Sequence, residues 1–128
     1  MSENLAIQAL SPIAAVSHPS HEDDLERMIQ EKRLNAPRLN PGVIDATIMG
    51  CTFTKLPSGK KMVCEITLRN GFTVTGESST VSKENFDEEI GKKISFENAR
   101  DKIWMLEGYL LQQKLYEDVM VSLEQTNG

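Results

Sequence analysis

The chain has 128 residues and a formal net charge of −5, which is enough length for one domain with its own core. The acidic balance argues against general nucleic-acid binding, which uses a concentrated basic face, but leaves room for a local basic pocket. No apolar run approaches the ~20 residues of a membrane span, and Glu3 stands where a secretory signal is basic, so a cytoplasmic protein with reduced cysteines is expected.

Residues 1–20 are predicted to form a flexible N-terminal tail, because their apolar residues show no regular spacing and Pro12 and Pro19 interrupt any helix. A few scattered aliphatic side chains leave open the docking of part of this tail on a partner.

Two short helices are predicted next. The first opens near Ser20, carries acidic residues in its first turn and ends before Pro37. The second has Asn40 as N-cap and Pro41 as its first residue, and its apolar residues keep helical spacing up to Gly50.

β-structure is predicted after residue 50, where the period of the apolar residues changes. Residues 51–56 are β-rich, and residues 57–59 have turn chemistry. Residues 62–69 alternate apolar and polar side chains, and Asn70-Gly71 is a strong hairpin signal before a return strand over residues 72–80.

A two-residue turn at Asn70-Gly71 would place Arg69 opposite Phe72 and Thr67 opposite Val74. Phe72 and Val74 would then lie on the face away from the apolar residues of the preceding strand. Both faces of the sheet would be apolar and would need cover, one from the long helix and the other from the N-terminal helices or a second subunit.

A long helix is predicted over most of residues 85–113, starting at Asn85 with Glu88 as its capping-box partner. Its girth is apolar on two sides, which favours burial against both the sheet and another copy of the chain. We expect Trp104 or Leu111 near that interface. The two stripes consist of Phe96, Ala99, Ile103, Leu106 and Leu110, and of Phe86, Ile90, Trp104 and Leu111.

The predicted fold class is therefore α+β: a small antiparallel β-sheet with short N-terminal helices and one long C-terminal helix, in an oligomer. Residues 21–116 form the single domain, and residues 117–128 are predicted to be a frayed C-terminal tail.

Catalytic chemistry is weakly indicated. His18 and His21 lie at the tail, and with Cys51 and Cys64 they match no zinc spacing. The acidic run at residues 87–89 starts a helix and has lysines four residues on, which favours a solvated face. We therefore expect no catalytic residues, no metal and no cofactor.

Two arginine–aromatic pairs are candidates for a nucleotide-binding site. Arg69 lies beside Phe72, and Arg100 lies one turn before Trp104 with Asn98 nearby. A guanidinium binds phosphate in bidentate fashion, a ring stacks on a base, and an amide reads a base edge. The alternative is a core aromatic with Arg100 in an exposed pair with Glu97.

Three motifs resemble a known family: NGF-x-V-x-GES, ENFD-x-E-x-GKKI and ENARDKIW-x-LEGYLL. Together with the upstream NAPRLNPGVIDATI, they resemble the small tailed-phage protein family of the coliphage gene 49 and gene 66 proteins, over about residues 35–111. Many relatives carry a cysteine shortly after GES, where this chain has Ser79-Thr80, so that loop departs from the pattern.

That family is similar to the first type of Thoeris anti-defence sponge, a phage protein that sequesters the cyclic ADP-ribose isomer made by bacterial TIR enzymes. Some relatives of the sponge also bind cyclic di- or trinucleotides of CBASS defence. The sponges are dimers that can assemble into hexamers, with ligands at subunit interfaces. The resemblance thus implies a non-catalytic, oligomeric, nucleotide-binding protein in the cytoplasm of an infected or lysogenic bacterium.

Within the shared motifs, chemistry selects nine candidate ligand-binding residues: Arg69, Phe72, Glu77, Ser78, Asn85, Phe86, Asn98, Arg100 and Trp104. Two other functions remain open: an early phage protein that binds and inhibits a host protein, and a phosphodiesterase of the same cyclic nucleotides.

Overall fold

The computed structural model describes residues 19–127, which form an α+β arrangement as predicted. Helices α1 (Pro19–Glu31) and α2 (Pro41–Ala46) precede strands β1 (Ile48–Lys55), β2 (Lys61–Leu68) and β3 (Thr73–Ser79). A 3-10 turn (Lys83–Asn85) then leads into the long helix α3 (Glu88–Asn127). The strands form one antiparallel sheet in the order β1-β2-β3.

The core lies between one face of the sheet and the first half of α3. Its buried members are Ile44, Cys64, Ile66, Leu68, Val74, Ala99 and Ile103. Two polar bonds fasten β3 to α3: Asn98 Nδ2 donates to the Glu77 carbonyl at 2.9 Å, and Ser78 Oγ donates to the Gly91 carbonyl at 2.9 Å. Strand and helix are therefore fixed in one register.

The β2–β3 hairpin has a three-residue loop, so the predicted two-residue turn is wrong. Leu68 N–H donates to the Phe72 carbonyl at 2.8 Å, and Gly71 N–H donates to the Leu68 carbonyl at 2.9 Å. Gly71 takes a φ of +90°, the left-handed conformation that ends a three-residue hairpin loop. Ile66 consequently pairs with Val74, one residue away from the predicted register.

This shift by one residue moves the return strand to the other face. Val74 is buried in the core, and Phe72 lies on the same side at the rim. The opposite face carries exposed polar residues, namely Thr52, Thr54, Glu65, Thr67, Thr73, Thr75 and Glu77. The prediction that both faces of the sheet are apolar is therefore wrong, and the sheet supplies no argument for a second subunit.

The short helices end earlier than the sequence predicts. α1 ends at Glu31, because Arg33 takes a φ of +55° and Leu34 N–H bonds back to the Ile29 carbonyl at 3.2 Å. α2 has the predicted cap, with Asn40 Oδ1 accepting from Val43 N–H at 2.9 Å, but it ends at Ala46.

The residues after α2 belong to β1 instead of a helix. Thr47 caps α2, with its hydroxyl donating to the Ile44 carbonyl at 2.7 Å. The Thr47 carbonyl in turn accepts from Arg69 N–H at 2.9 Å, which ties this junction to the hairpin. Ile48 and Met49, predicted as helical, therefore open the strand.

α3 differs from its prediction at both ends. Asp87, not Asn85, caps it, since Asp87 Oδ1 accepts from Ile90 N–H at 3.0 Å while Asn85 lies in the 3-10 turn. The helix continues to Asn127, through residues that the sequence assigns to a frayed tail. Lys114 and Asp118 form one of its i,i+4 pairs, at 3.0 Å.

The second half of α3 extends past the sheet. A helix of 40 residues is about 60 Å long, whereas strands of seven or eight residues span only about 25 Å. Among the described residues, none of α3 after Ile103 is fully buried. Leu110, a member of the first predicted apolar stripe, is 52% exposed. Within residues 19–127, no helix is both long and apolar enough to cross a membrane.

Candidate functional site

Arg100 is buried in the first half of α3, where it joins that helix to the two N-terminal helices. Its Nη1 donates to Glu22 Oε1 on α1 at 2.6 Å, and its Nε donates to Asp45 Oδ1 on α2 at 2.8 Å. Nη2 reaches the Pro41 carbonyl at 3.5 Å. The residue is only 9% exposed. Arg100 is thus a buried ion-pair residue, so the alternative of an exposed pair does not describe it.

The two carboxylates keep this buried guanidinium charged. Burial lowers the pKa of Arg100, but hydrogen bonds to Glu22 and Asp45 outweigh that effect and raise the pKa above its ordinary value. A cation buried in this way needs an anionic partner, because an uncompensated charge in the interior is costly. The position therefore selects for an anion, whichever group supplies it.

A second arginine, Arg38, contacts α1 one turn after Glu22. Arg38, in the loop before α2, makes a bidentate contact to Glu26: Nη2 to Oε1 at 2.6 Å and Nη1 to Oε2 at 3.1 Å. The Glu26 hydrogen bond raises the pKa of Arg38, and the Arg38 hydrogen bond lowers the pKa of Glu26. Glu22 and Glu26 are one turn apart, so one face of α1 holds both arginines.

Trp104 lies in a groove of 320 Å³ between α1 and α3, which we call the α1 groove. The indole also packs against the core, while Arg38 and Glu22 contribute charged walls. The full lining is His21, Glu22, Leu25, Glu26, Ile29, Arg38, Leu39, Asn40, Pro41, Asp101 and Trp104.

Glu22 also borders a second groove, of 480 Å³, on its other side. We call it the lysine groove, because Lys92 and Lys93 join Arg100 in its lining. Lys92 Nζ lies 5.7 Å from the centre of the Phe53 ring, a cation–π distance. The lining also carries the carboxylates of Glu22, Asp23, Asp45 and Glu97, so the lysine groove holds charges of both signs. Glu22 borders this groove as well as the α1 groove.

Arg69 and Phe72 both line a third groove of 480 Å³ that we call the hairpin groove, although the predicted pairing of these two residues across the turn is wrong. Arg69 Nη2 lies 3.6 Å from Glu107 Oε1, and Phe72 is 56% exposed. Met105 and Tyr109 of α3 also line the groove. It is a mostly apolar depression with one ion pair at its edge.

The other candidate residues line none of these three grooves. Ser78 and Asn98 fasten β3 to α3, and Glu77 joins them through its carbonyl while its side chain lies 3.7 Å from Lys61. Asn98 Oδ1 is buried and has no hydrogen-bond partner.

Asn85 and Phe86 lie in the turn before α3. Asn85 belongs to the 3-10 turn, and the Phe86 ring has Lys55 Nζ 5.0 Å from its centre. The nine predicted residues are thus divided between grooves, a strand–helix seam and a turn within one chain.

Sequence reasoning missed the residues that organise the α1 groove. The sequence indicates Glu22 only as an acidic residue in the first turn of a short helix, assigns no role to Glu26, and gives Arg38 only as part of a motif. The i,i+4 spacing of the two glutamates was the available signal, but nothing local says which arginines lie opposite them.

The two cysteines are neighbours on the sheet. Cys51 pairs with Ile66 and Phe53 pairs with Cys64, so the thiols lie on a diagonal instead of opposite each other. Burial, and secondarily the adjacent Cys51, raises the pKa of the Cys64 thiol to about 12. Within residues 19–127, no group of three histidine, cysteine or acidic side chains could hold a metal ion, and His18 lies outside those residues.

Comparison with known proteins gives one match. The family model described as "Phage protein (N4 Gp49/phage Sf6 gene 66) family" matches residues 39–115. No curated protein and no solved structure matches the chain. The matched range includes Arg69, Arg100 and Trp104, whereas α1 and Arg38 precede it.

Proposed function

Since the chain belongs to the N4 Gp49/Sf6 gene 66 family of phage proteins, we propose that it is a counter-defence protein that sequesters a cyclic nucleotide immune signal. The ligand is a cyclic ADP-ribose isomer of Thoeris defence, or a cyclic di- or trinucleotide of CBASS defence. The protein binds this signal and does not cleave it. The observation that supports this proposal is the position of Arg100 one turn from Trp104, with Arg38 on the same groove as the indole.

The chemistry of this cluster suits a phosphate-bearing base. A guanidinium donates two parallel hydrogen bonds to a phosphate, and an indole face stacks on a purine. Each charge-assisted contact is worth about 1.5–3 kcal/mol. Several such contacts with stacking could reach the roughly −12 kcal/mol of a nanomolar complex, which effective capture of a signal requires.

The exposed apolar side of α3 supports the proposal that the protein acts as a homo-oligomer, a dimer or a hexamer. Positions 105, 109, 112, 116, 119 and 123 are spaced alternately by four and three residues, and five of the six are apolar or aromatic. This is the spacing of a coiled-coil seam. We call these six positions the α3 seam.

The α3 seam is continuous with the hairpin groove, because Met105 and Tyr109 belong to both. A second copy packed on the seam would cover the open side of this groove and enclose Arg69 and Phe72. Ligand binding at a subunit interface is therefore compatible with the positions of these residues. The same exposed seam is the feature that favours a second candidate function, the binding and inhibition of a host protein.

The proposed function is tested by incubating the purified protein with a panel of cyclic nucleotides, removing unbound material, heating the protein and analysing the released compounds by mass spectrometry. Release of an intact cyclic nucleotide is the expected result. A cleaved product would identify a phosphodiesterase, and absence of any retained nucleotide would favour the host-protein inhibitor. Arg100→Ala should retain less nucleotide than wild type. Arg27→Ala is its control, because Arg27 is an exposed arginine of α1 that pairs with Asp24 within the helix.

A further inference from the structure

Helix α1 presents two carboxylates to two arginines as a ligand with two phosphates would. Glu22 contacts Arg100 at 2.6 Å, and Glu26 contacts Arg38 at 2.6 Å. We propose that α1 is an internal occupant of a two-phosphate site formed by Arg38, Trp104 and Arg100, and that a ligand with two phosphate groups displaces it. The nature of that ligand as a cyclic nucleotide rests on the proposed function.

The geometry of the two pairs supports this reading of α1. Residues four apart on a helix have Cβ atoms about 5–6 Å from each other, so the two carboxylates are held a short, fixed distance apart. Carboxylate and phosphate both accept the parallel N–H bonds of a guanidinium. The Glu26 contact already has this bidentate form, at 2.6 and 3.1 Å. A phosphate oxygen pair can therefore replace the bidentate contact of Glu26, and one phosphate oxygen can replace the single contact of Glu22 at 2.6 Å.

The apolar contacts that hold α1 in place are few. Leu25 and Met28 on this helix remain 46% and 45% exposed. Among the described residues, the buried core cluster draws on α2, β2, β3 and α3, and not on α1. The two glutamate–arginine pairs are therefore a large part of its attachment, and an anion that competes for the arginines can release it.

Release of α1 does not leave Arg100 without a partner. Asp45 remains on Nε at 2.8 Å, and the Pro41 carbonyl remains near Nη2. Nη1, which now holds Glu22, is the position that opens. The cost of an uncompensated buried cation is thus avoided both before and after displacement.

Displacement also changes the shape of the site. Glu22 borders both the α1 groove and the lysine groove, so its departure joins them. The joined surface carries the cations Arg38, Arg100, Lys92 and Lys93 and the indole of Trp104, together with the carboxylates of Asp45, Glu97 and Asp101. The four cations can contact the phosphates of a ligand and the indole can stack on its base, while Asp45 remains the partner of Arg100 Nε.

The consequence for affinity follows from competition. If the site is free in only a fraction of the molecules, the apparent Kd of the ligand equals its intrinsic Kd divided by that fraction. Removing the two competing carboxylates should raise affinity for a small diphosphate by about tenfold or more, if α1 covers the site in at least nine molecules of ten. A purely structural role for α1 predicts no such gain.

The test compares Glu22→Gln/Glu26→Gln with Asp24→Asn/Glu31→Gln, titrated with inorganic pyrophosphate and with a cyclic ADP-ribose isomer by calorimetry. Both double variants remove two negative charges from α1. Asp24 and Glu31 pair only loosely with Arg27 on the exposed side of the helix, at 3.2 and 3.9 Å. The expected result is about tenfold tighter pyrophosphate binding in the first variant alone, and loss of that gain when Arg38→Ala is added.

Each outcome bears on one of the two proposals. If wild type binds the cyclic ADP-ribose isomer but both double variants bind both probes equally, the displacement of α1 is wrong and the proposed function stands. If the first variant gains pyrophosphate affinity but no cyclic nucleotide binds, the site is supported and the proposed function fails. If neither probe binds any variant, both proposals fail.

Further measurements separate displacement of α1 from unfolding of the variant. Melting curves show whether the double variant remains folded, and Glu26→Gln alone is a milder version that leaves the buried Arg100 pairs intact. Tryptic cleavage within α1 should become faster when wild type is saturated with ligand, since Arg27 lies in the displaced helix. Slower cleavage of α1 in the complex would contradict displacement.

Discussion

Gly76 of β3 lies directly against the backbone of Ala99 in α3. A Cβ atom at Gly76 would be 2.2 Å from Ala99 N and 2.5 Å from the Ser95 carbonyl oxygen, both of which are backbone atoms. This close approach lets Ser78 and Asn98 form their bonds between strand and helix. The glycine in the motif GES thus has a packing reason.

We expect Gly76→Ala to destabilise the protein by about 3 kcal/mol or more, since a backbone clash cannot be relieved by a side-chain rotation. Gly50→Ala is the matched control, because Gly50 is also in a strand and a Cβ there meets nothing within 4 Å. Chemical denaturation of both variants measures the difference. Equal midpoints for the two would show that strand and helix separate easily at this point.

The hairpin shows how far local sequence signals reach. Asn70-Gly71 correctly locates a turn, and the alternation of β2 correctly predicts a strand. Loop length decides register, however, and a three-residue loop uses the same glycine as a two-residue one. In the structure Phe72 pairs with Leu68, whereas the two-residue turn would pair it with Arg69. This difference of one residue places every side chain of β3 on the opposite face of the sheet.

The candidate site was predictable only in part. Arg100 and Trp104 share a helix, so their proximity follows from spacing alone. The Arg100–Glu22 pair joins residues far apart in the chain, and no local pattern could predict it. The burial of Arg100 is likewise a consequence of how α1 and α2 pack, which periodicity does not determine.

Arg100→Ala should lower both nucleotide affinity and stability. Loss of a charge-assisted phosphate contact weakens binding about tenfold or more. Loss of the guanidinium also leaves Glu22 partly buried without its cation, although α1 can move into solvent, so we expect a cost of about 1–3 kcal/mol. Calorimetry and melting curves measure the two effects. A variant with full affinity and a lowered melting temperature would show that Arg100 is structural.

The docking of α1 should depend on pH through Glu26. The Arg38 hydrogen bond lowers the pKa of Glu26 below its ordinary value of 4.5. A carboxyl whose pKa is lower in the folded state stabilises above the unfolded pKa and loses that contribution as pH falls through the folded pKa. The fluorescence of Trp104, the single tryptophan, should therefore change in acid below pH 4.5. Glu26→Gln should lack this transition, whereas Glu31→Gln should retain it.

The two thiols should react very differently. Cys51 is exposed, whereas Cys64 is buried and has a pKa of about 12. Because the thiolate is the reactive form, a thiol reagent at pH 8 should modify one cysteine in the native protein and two after unfolding. Cys51→Ser should remove the native reaction. Rapid modification of two thiols in the folded wild type would mean that the sheet opens readily.

Two copies of the protein should associate along the α3 seam. Val119 and Val121 are similarly exposed, at 54% and 50%. Val119 is one of the six α3 seam positions, whereas Val121 is not. If two copies pair along α3, Val119→Glu buries a carboxylate in an apolar contact and should shift the protein to monomer, while Val121→Glu should leave the oligomer intact. The two variants change the same residue type to the same charge on the same helix, so solubility and net charge are matched. Light scattering at micromolar concentration measures the masses. A monomeric wild type would contradict association, and equal masses for the two variants would place the interface elsewhere on the molecule.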